Sequence, residues 1–194
     1  TVFREEPLQG GVLTRVASSH IRIGTFEFFF FRNDFKSLKK LADYTISRHF
    51  PKCKNDKPYE FLLKKVIKSQ AELVAKWMSV GFIHGVMNTD NCQVAGETID
   101  YGPCAFMDRY NPMQVYSSID RIGRYAYSTQ PDIIVWNMAQ LATALVPLMP
   151  DGDEAVEAFT RAIHAMPRLI NQNWRTIFAA KVGISAVQPE DERL

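Results

Sequence analysis

The stretch from Pro58 to Gly81 constrains this chain more than any other. Proline suits a first helical position, and Leu62/Leu63, Val66/Ile67, Gln70/Ala71, Leu73/Val74 and Trp77/Met78 then step along one face until glycine stops the run. A helix with so broad an apolar face is stable only when other elements cover it, so it is expected at the centre of the fold. Candidate coverings lie on both sides in sequence. Asn33-Asp34 is a good N-cap pair for a helix in which Leu38, Leu41, Ala42, Thr45 and Ile46 recur at helical spacing until Phe50-Pro51. Residues 132–146, 153–165 and 168–180 carry the same period, which predicts three more helices.

The remaining segments read differently. Residues 10–16 and 21–26 mix β-branched and aromatic residues with glycines, which predicts extended or irregular backbone. The aromatic run from Phe26 to Phe31 is expected in the core. Residues 92–95 and 98–100, separated by Gly96-Glu97, have the spacing of a tight β-hairpin, and residues 101–131 show little periodicity. The expected fold class is α+β, mostly helical, with one short β-hairpin. A single domain is expected over residues 1–194, with residues 188–194 as a flexible, solvated tail.

Composition narrows the function classes. The 194 residues are 46% hydrophobic and 12% aromatic, enough for one sizeable core. Lys and Arg number 23 against 21 acidic residues, so no broad basic face is available and nucleic acid is not an expected partner. Cys53, Cys92 and Cys104 are odd in number, widely spaced and in no CxxC pair, which points away from a disulfide framework or zinc site and toward a reducing cytosol. Cys92 and Cys104 are read as small buried residues. The longest apolar run is far too short to span a membrane, so no membrane partner is expected. Thr1-Val2-Phe3-Arg4-Glu5-Glu6 lacks a signal-like order and reads as the interior of a longer protein. A cytoplasmic location is the default, with a mitochondrial address open if a targeting segment precedes Thr1.

The chemistry is concentrated after the long helix. Gly81-Phe82-Ile83-His84-Gly85-Val86-Met87-Asn88-Thr89-Asp90-Asn91 is a helix end followed by a polar loop, and the hairpin then delivers Thr98-Ile99-Asp100-Tyr101-Gly102. Phosphoryl transfer of the protein-kinase kind needs a carboxylate near the attacking hydroxyl, an Asn on the same loop for Mg²⁺, and an Asp after the next hairpin for the same metal. The order here matches with one departure. Kinases place the catalytic Asp directly after His-Arg or His-Gly, where this chain has Val86, and the carboxylate is Asp90 instead, immediately before Asn91. That pattern fits an atypical kinase or a pseudokinase. Taken singly, Asp90-Asn91 could be a turn, His84 a hydrogen-bonding residue that orients the loop, and Asp100 a turn residue before Gly102. Arg15 and Arg22 suit phosphate oxygens through bidentate hydrogen bonds, or could form structural salt bridges.

At residues 13–27 (Leu13-Thr14-Arg15-Val16-Ala17-Ser18-Ser19-His20-Ile21-Arg22-Ile23-Gly24-Thr25-Phe26-Glu27), at residues 81–91 and at Ile99-Asp100-Tyr101-Gly102-Pro103, the chain resembles the selenoprotein O family. Gly123-Arg124-Tyr125-Ala126-Tyr127, Gln130-Pro131 and Trp136-Asn137 form a third matching block. The resemblance implies a protein-kinase-like fold that binds ATP in reversed orientation and transfers AMP to Ser, Thr or Tyr hydroxyls of protein substrates. It implies Asp90 as base, Asn91 and Asp100 as ligands for Mg²⁺ or Mn²⁺, and Arg15 and Arg22 on the nucleotide phosphates. The region present corresponds to the C-terminal lobe, with the β-hairpin carrying the metal-binding loop. Full-length members carry an upstream lobe with a glycine-rich loop and a nucleotide-binding Lys; neither precedes Thr1, so a fragment with reduced ATP affinity is expected. The competing readings are a catalytically silent pseudokinase-like module that binds a partner protein, UMP transfer with Mn²⁺, and an ordinary kinase, which Val86 disfavours.

Overall fold

The structure is a computed structural model and describes residues 2–3, 6–53, 56–185 and 188. Its order is β1 (Val2–Phe3), β2 (Pro7–Leu8), α1 (Ile23–Phe31), α2 (Phe35–His49), α3 (Pro58–Ser79), β3 (Phe82–Ile83), β4 (Ala105–Phe106), α4 (Gln130–Leu145), α5 (Gly152–His164) and α6 (Met166–Lys181). The architecture is mostly helical with two small antiparallel sheets, β1–β2 and β3–β4. The tail expected over residues 188–194 lies outside the described residues apart from Gln188.

The central helix forms where its sequence places it. Pro58 sits in the first turn of α3, and Gly81 follows the helix with φ +68°, a left-handed conformation that lets the chain turn back toward β3. Leu62, Leu63, Val66, Ala71 and Val74 on α3 are fully buried. Each large side chain so buried contributes about 1.5–3 kcal/mol relative to exposure. α3 packs chiefly against α6 and α4, with α5 and α2 completing the cover. Asp34 accepts from Ser37 N–H at 3.0 Å and caps α2 as expected.

Two expectations for the segment that forms α1 are corrected. Residues 21–26 are not extended throughout, because α1 begins at Ile23. Tertiary packing overrides the weak local preference for helix: Ile23 and Phe26 are fully buried, and α1 lies against α4 and α2. The helical period also divides the aromatic run, with Phe26 inside while Phe28 and Phe31 are 48% and 71% exposed, so only part of the run is core.

The hairpin of residues 92–100 is reduced to one bridge, Cys92 opposite Thr98. Residues 92–94 pair instead with the chain entering α1. Ile23 N–H donates to Cys92 O at 3.0 Å and Val94 N–H donates to Ile21 O at 3.0 Å. The sheet that brackets the loop is β3–β4, with Phe82 opposite Phe106 and Ile83 opposite Ala105. Strands of two residues carry too little alternation to be seen in sequence.

Gly96 turns the chain at φ +71°, and a Cβ there would lie 2.6 Å from Ser69 Cβ on α3. Gly102 has open space around it. Gly96→Ala is expected to destabilise the fold by more than the roughly 1–2 kcal/mol of left-handed strain alone, while Gly102→Ala stays within about 0.5 kcal/mol. Urea unfolding of the two variants checks the contrast, and equal effects would show that Gly96 is not pinned against α3.

Candidate active site

The loop after α3 is organised by one buried imidazole. His84 is fully buried, with its ring packed among Trp77 and Phe82. Its Nε2 lies 2.7 Å from Ile99 O, and Val86 N–H points at its Nδ1 at 3.4 Å. A carbonyl only accepts and an amide N–H only donates, so the compatible form is neutral with the proton on Nε2. Burial lowers the His84 pKa, the bond to Ile99 O and the Asp100 charge acting against it. The expectation of a hydrogen bonder that orients the loop is therefore met. His84 N–H in turn donates to Gln130 Oε1 at 2.9 Å, and Gln130 Nε2 donates to Phe82 O at 3.0 Å, which ties β3 to the start of α4.

The loop is closed at further points. Gly85 has φ +86°, and a Cβ there would meet Pro103 Cγ at 2.9 Å. Asn137, a fully buried residue of α4, donates from Nδ2 to Met87 O at 3.0 Å and lies 2.8 Å from Cys92 Sγ. Cys92 is buried with its thiol pushed up to about 12 by desolvation, which makes it an inert core residue as expected. Cys104 is only partly buried, short of the expected burial, because it lies in the irregular chain leading to β4.

The predicted site residues sit at the rims of this frame. Asn91 ends a 3₁₀ turn over Thr89–Asn91 and donates from Nδ2 to Val86 O at 3.0 Å, which leaves its Oδ1 to accept or ligate. Asp90, exposed, faces the N-terminus of α1: an ideal Cβ on Gly24 would fall 2.1 Å from Asp90 Oδ1. Asp100 follows the carbonyl that His84 holds and has φ +63°, a left-handed conformation that is uncommon for any residue but glycine. Arg15 Nη2 lies 3.5 Å from Asp100 Oδ1.

Arg22 is the N-cap residue of α1, with its backbone bridged to Gln93. The segment carrying Arg15 is held from two sides. Ser18 N–H donates to Glu97 Oε2 at 2.8 Å and Ser18 Oγ to Glu97 Oε1, while Arg48 binds Ser18 O through two nitrogens at 2.6 and 3.1 Å.

Among the described residues no three His, Cys, Asp or Glu side chains cluster as a metal site. Asn91 and Asp100 carry oxygen donors, the ligand type that Mg²⁺ takes. Gln130 and Asn137 have roles that spacing alone did not show. The available signal was an amide at a buried position of an apolar helix face, where a polar side chain needs a partner.

The family model for protein adenylyltransferase SelO matches residues 1–194. The chain belongs to the SelO family. It is 57% identical over 194 residues to a protein nucleotidyltransferase YdiU from Ruegeria pomeroyi, all of this chain and 40% of the relative. It is 58% identical over 193 residues to that of Roseobacter denitrificans and 53% identical over 197 residues to that of Clostridium botulinum, again over 40% of each relative. This SelO chain thus spans about 40% of the length of the curated relatives it matches. No helix among its described residues is long and apolar enough to cross a membrane.

Both His84 and His49 are held below the ordinary value of 6.5 by burial, with the Arg48 charge adding to the effect at His49. The unfolded chain therefore binds protons at these rings that the folded chain does not. Their contribution is full above about pH 6.5 and declines as pH falls below it. Asp34 and Glu97, whose carboxyls are held down by bonds from Ser37 and Ser18, lose their contribution only at lower pH. Between about pH 7 and pH 5 the unfolding midpoint is expected to fall, and His84→Gln should flatten that slope. A midpoint that rises on acidification would contradict a neutral, buried His84.

Proposed function

We propose that this SelO chain carries the catalytic-loop portion of a protein nucleotidyltransferase, with a protein-kinase-like C-terminal lobe, that transfers AMP from ATP to Ser, Thr or Tyr hydroxyls. The acceptor oxygen attacks the α-phosphorus, the bond to the β-phosphate oxygen breaks, pyrophosphate leaves, and the hydroxyl proton passes to Asp90. Asn91 and Asp100 would hold Mg²⁺ or Mn²⁺, which when bound neutralises phosphate charge. Arg15 and Arg22 would contact phosphate oxygens through their guanidinium forks.

The observation that carries this reading is Asp100. A carboxylate held in left-handed backbone beside a carbonyl fixed by a buried histidine, with an arginine beside it, is a pre-oriented charged group at an exposed edge. A turn residue needs neither the buried imidazole behind it nor a cation from a distant segment. The relatives' names support nucleotide transfer to protein. That the acceptor is a hydroxyl and the nucleotide AMP is the finer part of the proposal.

The test follows label from α-labelled ATP, γ-labelled ATP and α-labelled UTP into protein, with Mg²⁺ or Mn²⁺, for the protein carrying this chain and for Asp100→Asn. Asn tolerates left-handed backbone, so the variant removes charge with little strain. Expected is labelling from α-labelled ATP alone, reduced on the order of a hundredfold in the variant. Label from the γ position would indicate an ordinary kinase, and label from UTP a UMP transferase. Transfer unaffected by Asp100→Asn would remove Asp100 from the mechanism.

A further inference from the structure

We infer that Gly24 is a positioning residue for Asp90, its bare Cα forming the seat on which the Asp90 carboxylate rests. The inference rests on Asp90 acting as the base. Gly24 is the second residue of α1, and its φ lies outside the left-handed region, so the conformational freedom of glycine is not used there. In a helix, glycine is a weaker choice than alanine. What the missing methyl provides is room. An ideal Cβ at this position would lie 2.1 Å from Asp90 Oδ1, 3.0 Å from its Cγ and 3.1 Å from its backbone N.

Which group must yield to a methyl is decided by what is fastened. The start of α1 is pinned by Ile23 N–H to Cys92 O and by Val94 N–H to Ile21 O, both at 3.0 Å. The backbone of the loop is pinned by Asn91 N–H to Asn88 O at 3.0 Å and by Asn91 Nδ2 to Val86 O at 3.0 Å. Gly24 is buried, whereas the Asp90 side chain is exposed and, among the described residues, its carboxylate takes part in no hydrogen bond or ion pair. The carboxylate is therefore the part that moves most, while the Asp90 backbone N at 3.1 Å must give by only a few tenths of an ångström. A methyl at position 24 leaves the fold intact and swings the base away from its place, and misplacement of a reacting group by about 1 Å can cost about 100-fold in rate.

The experiment compares Gly24→Ala, Asp90→Asn and the double variant in the protein carrying this chain. It measures kcat and KM for ATP in label transfer, the thermal midpoint, and a crystal structure of Gly24→Ala. Expected for Gly24→Ala is a kcat lower by about 10- to 100-fold, an unchanged KM for ATP, a midpoint near that of the parent, and a displaced Asp90 carboxylate with the Ile23–Cys92 bond intact. The double variant is expected to be no slower than Asp90→Asn alone. A kcat for Gly24→Ala within about twofold of the parent, losses that multiply in the double variant, or an Asp90 carboxylate left in place while α1 shifts would each overturn the inference. If Asp90→Asn transfers as fast as the parent, the assignment of the base itself fails, and the positioning role falls with it. An impaired Asp90→Asn beside a normal Gly24→Ala rejects the positioning role alone.

Discussion

The hydrogen bond from buried His84 to Ile99 O is the constraint on which the candidate site depends. It joins two segments that leave the core in different places, the loop after β3 and the turn that ends at Asp100. Neither segment has enough regular structure of its own to hold a register: the turn has one bridge and the loop a single 3₁₀ turn. The fixed point comes from a side chain buried between Trp77 and Phe82, and burial is also what keeps that side chain neutral. A protonated ring at the same place would have to donate from both nitrogens and would lose the bond from Val86 N–H.

Around this point the protein uses buried amides where a larger domain could use longer strands. Gln70 of α3 donates to Gln93 O, Gln130 of α4 bridges Phe82 O and His84 N–H, and Asn137 of α4 holds Met87 O. Each bond adds a net 0.5–1.5 kcal/mol or so, but a buried carbonyl left alone costs about 1–3 kcal/mol. The asymmetry makes these residues matter more for specificity than for total stability. A loop shifted by one residue would leave several buried groups unpaired at once.

The helices were legible because their ends are written in local chemistry: Asp34 as a cap, Pro58 in a first turn, Gly81 in left-handed backbone. α1 was not, since nothing near Ile23 signals a helix start and its stability comes from packing on α4 and α2. The hairpin was half legible. Gly96 does turn the chain, but Cys92 to Val94 had a competing partner in the segment from Ile21 to Ile23, and pairing between distant segments leaves no mark in short sequence windows. Sequence named Asp90, Asn91, Asp100 and the two arginines as candidates. What sequence could not supply was which groups meet. The contacts of Gly24 with Asp90 and of Arg15 with Asp100 join the irregular N-terminal segment to loops beyond α3, and only the tertiary fold sets them.

The Arg15–Asp100 pair has a physical character suited to exchange. Its side chains are 37% and 38% exposed and the separation is 3.5 Å, so the pair belongs with surface ion pairs that contribute about 0–1 kcal/mol. The orientation of Asp100, by contrast, is set by its backbone and by the carbonyl before it. A carboxylate firmly placed but weakly satisfied can trade its partner at little cost for a stronger one. A divalent cation is such a partner for the carboxylate, and a phosphate is one for the released guanidinium. Under the proposed function, the same two side chains would pair with each other in the absence of nucleotide and turn toward opposite charges in its presence.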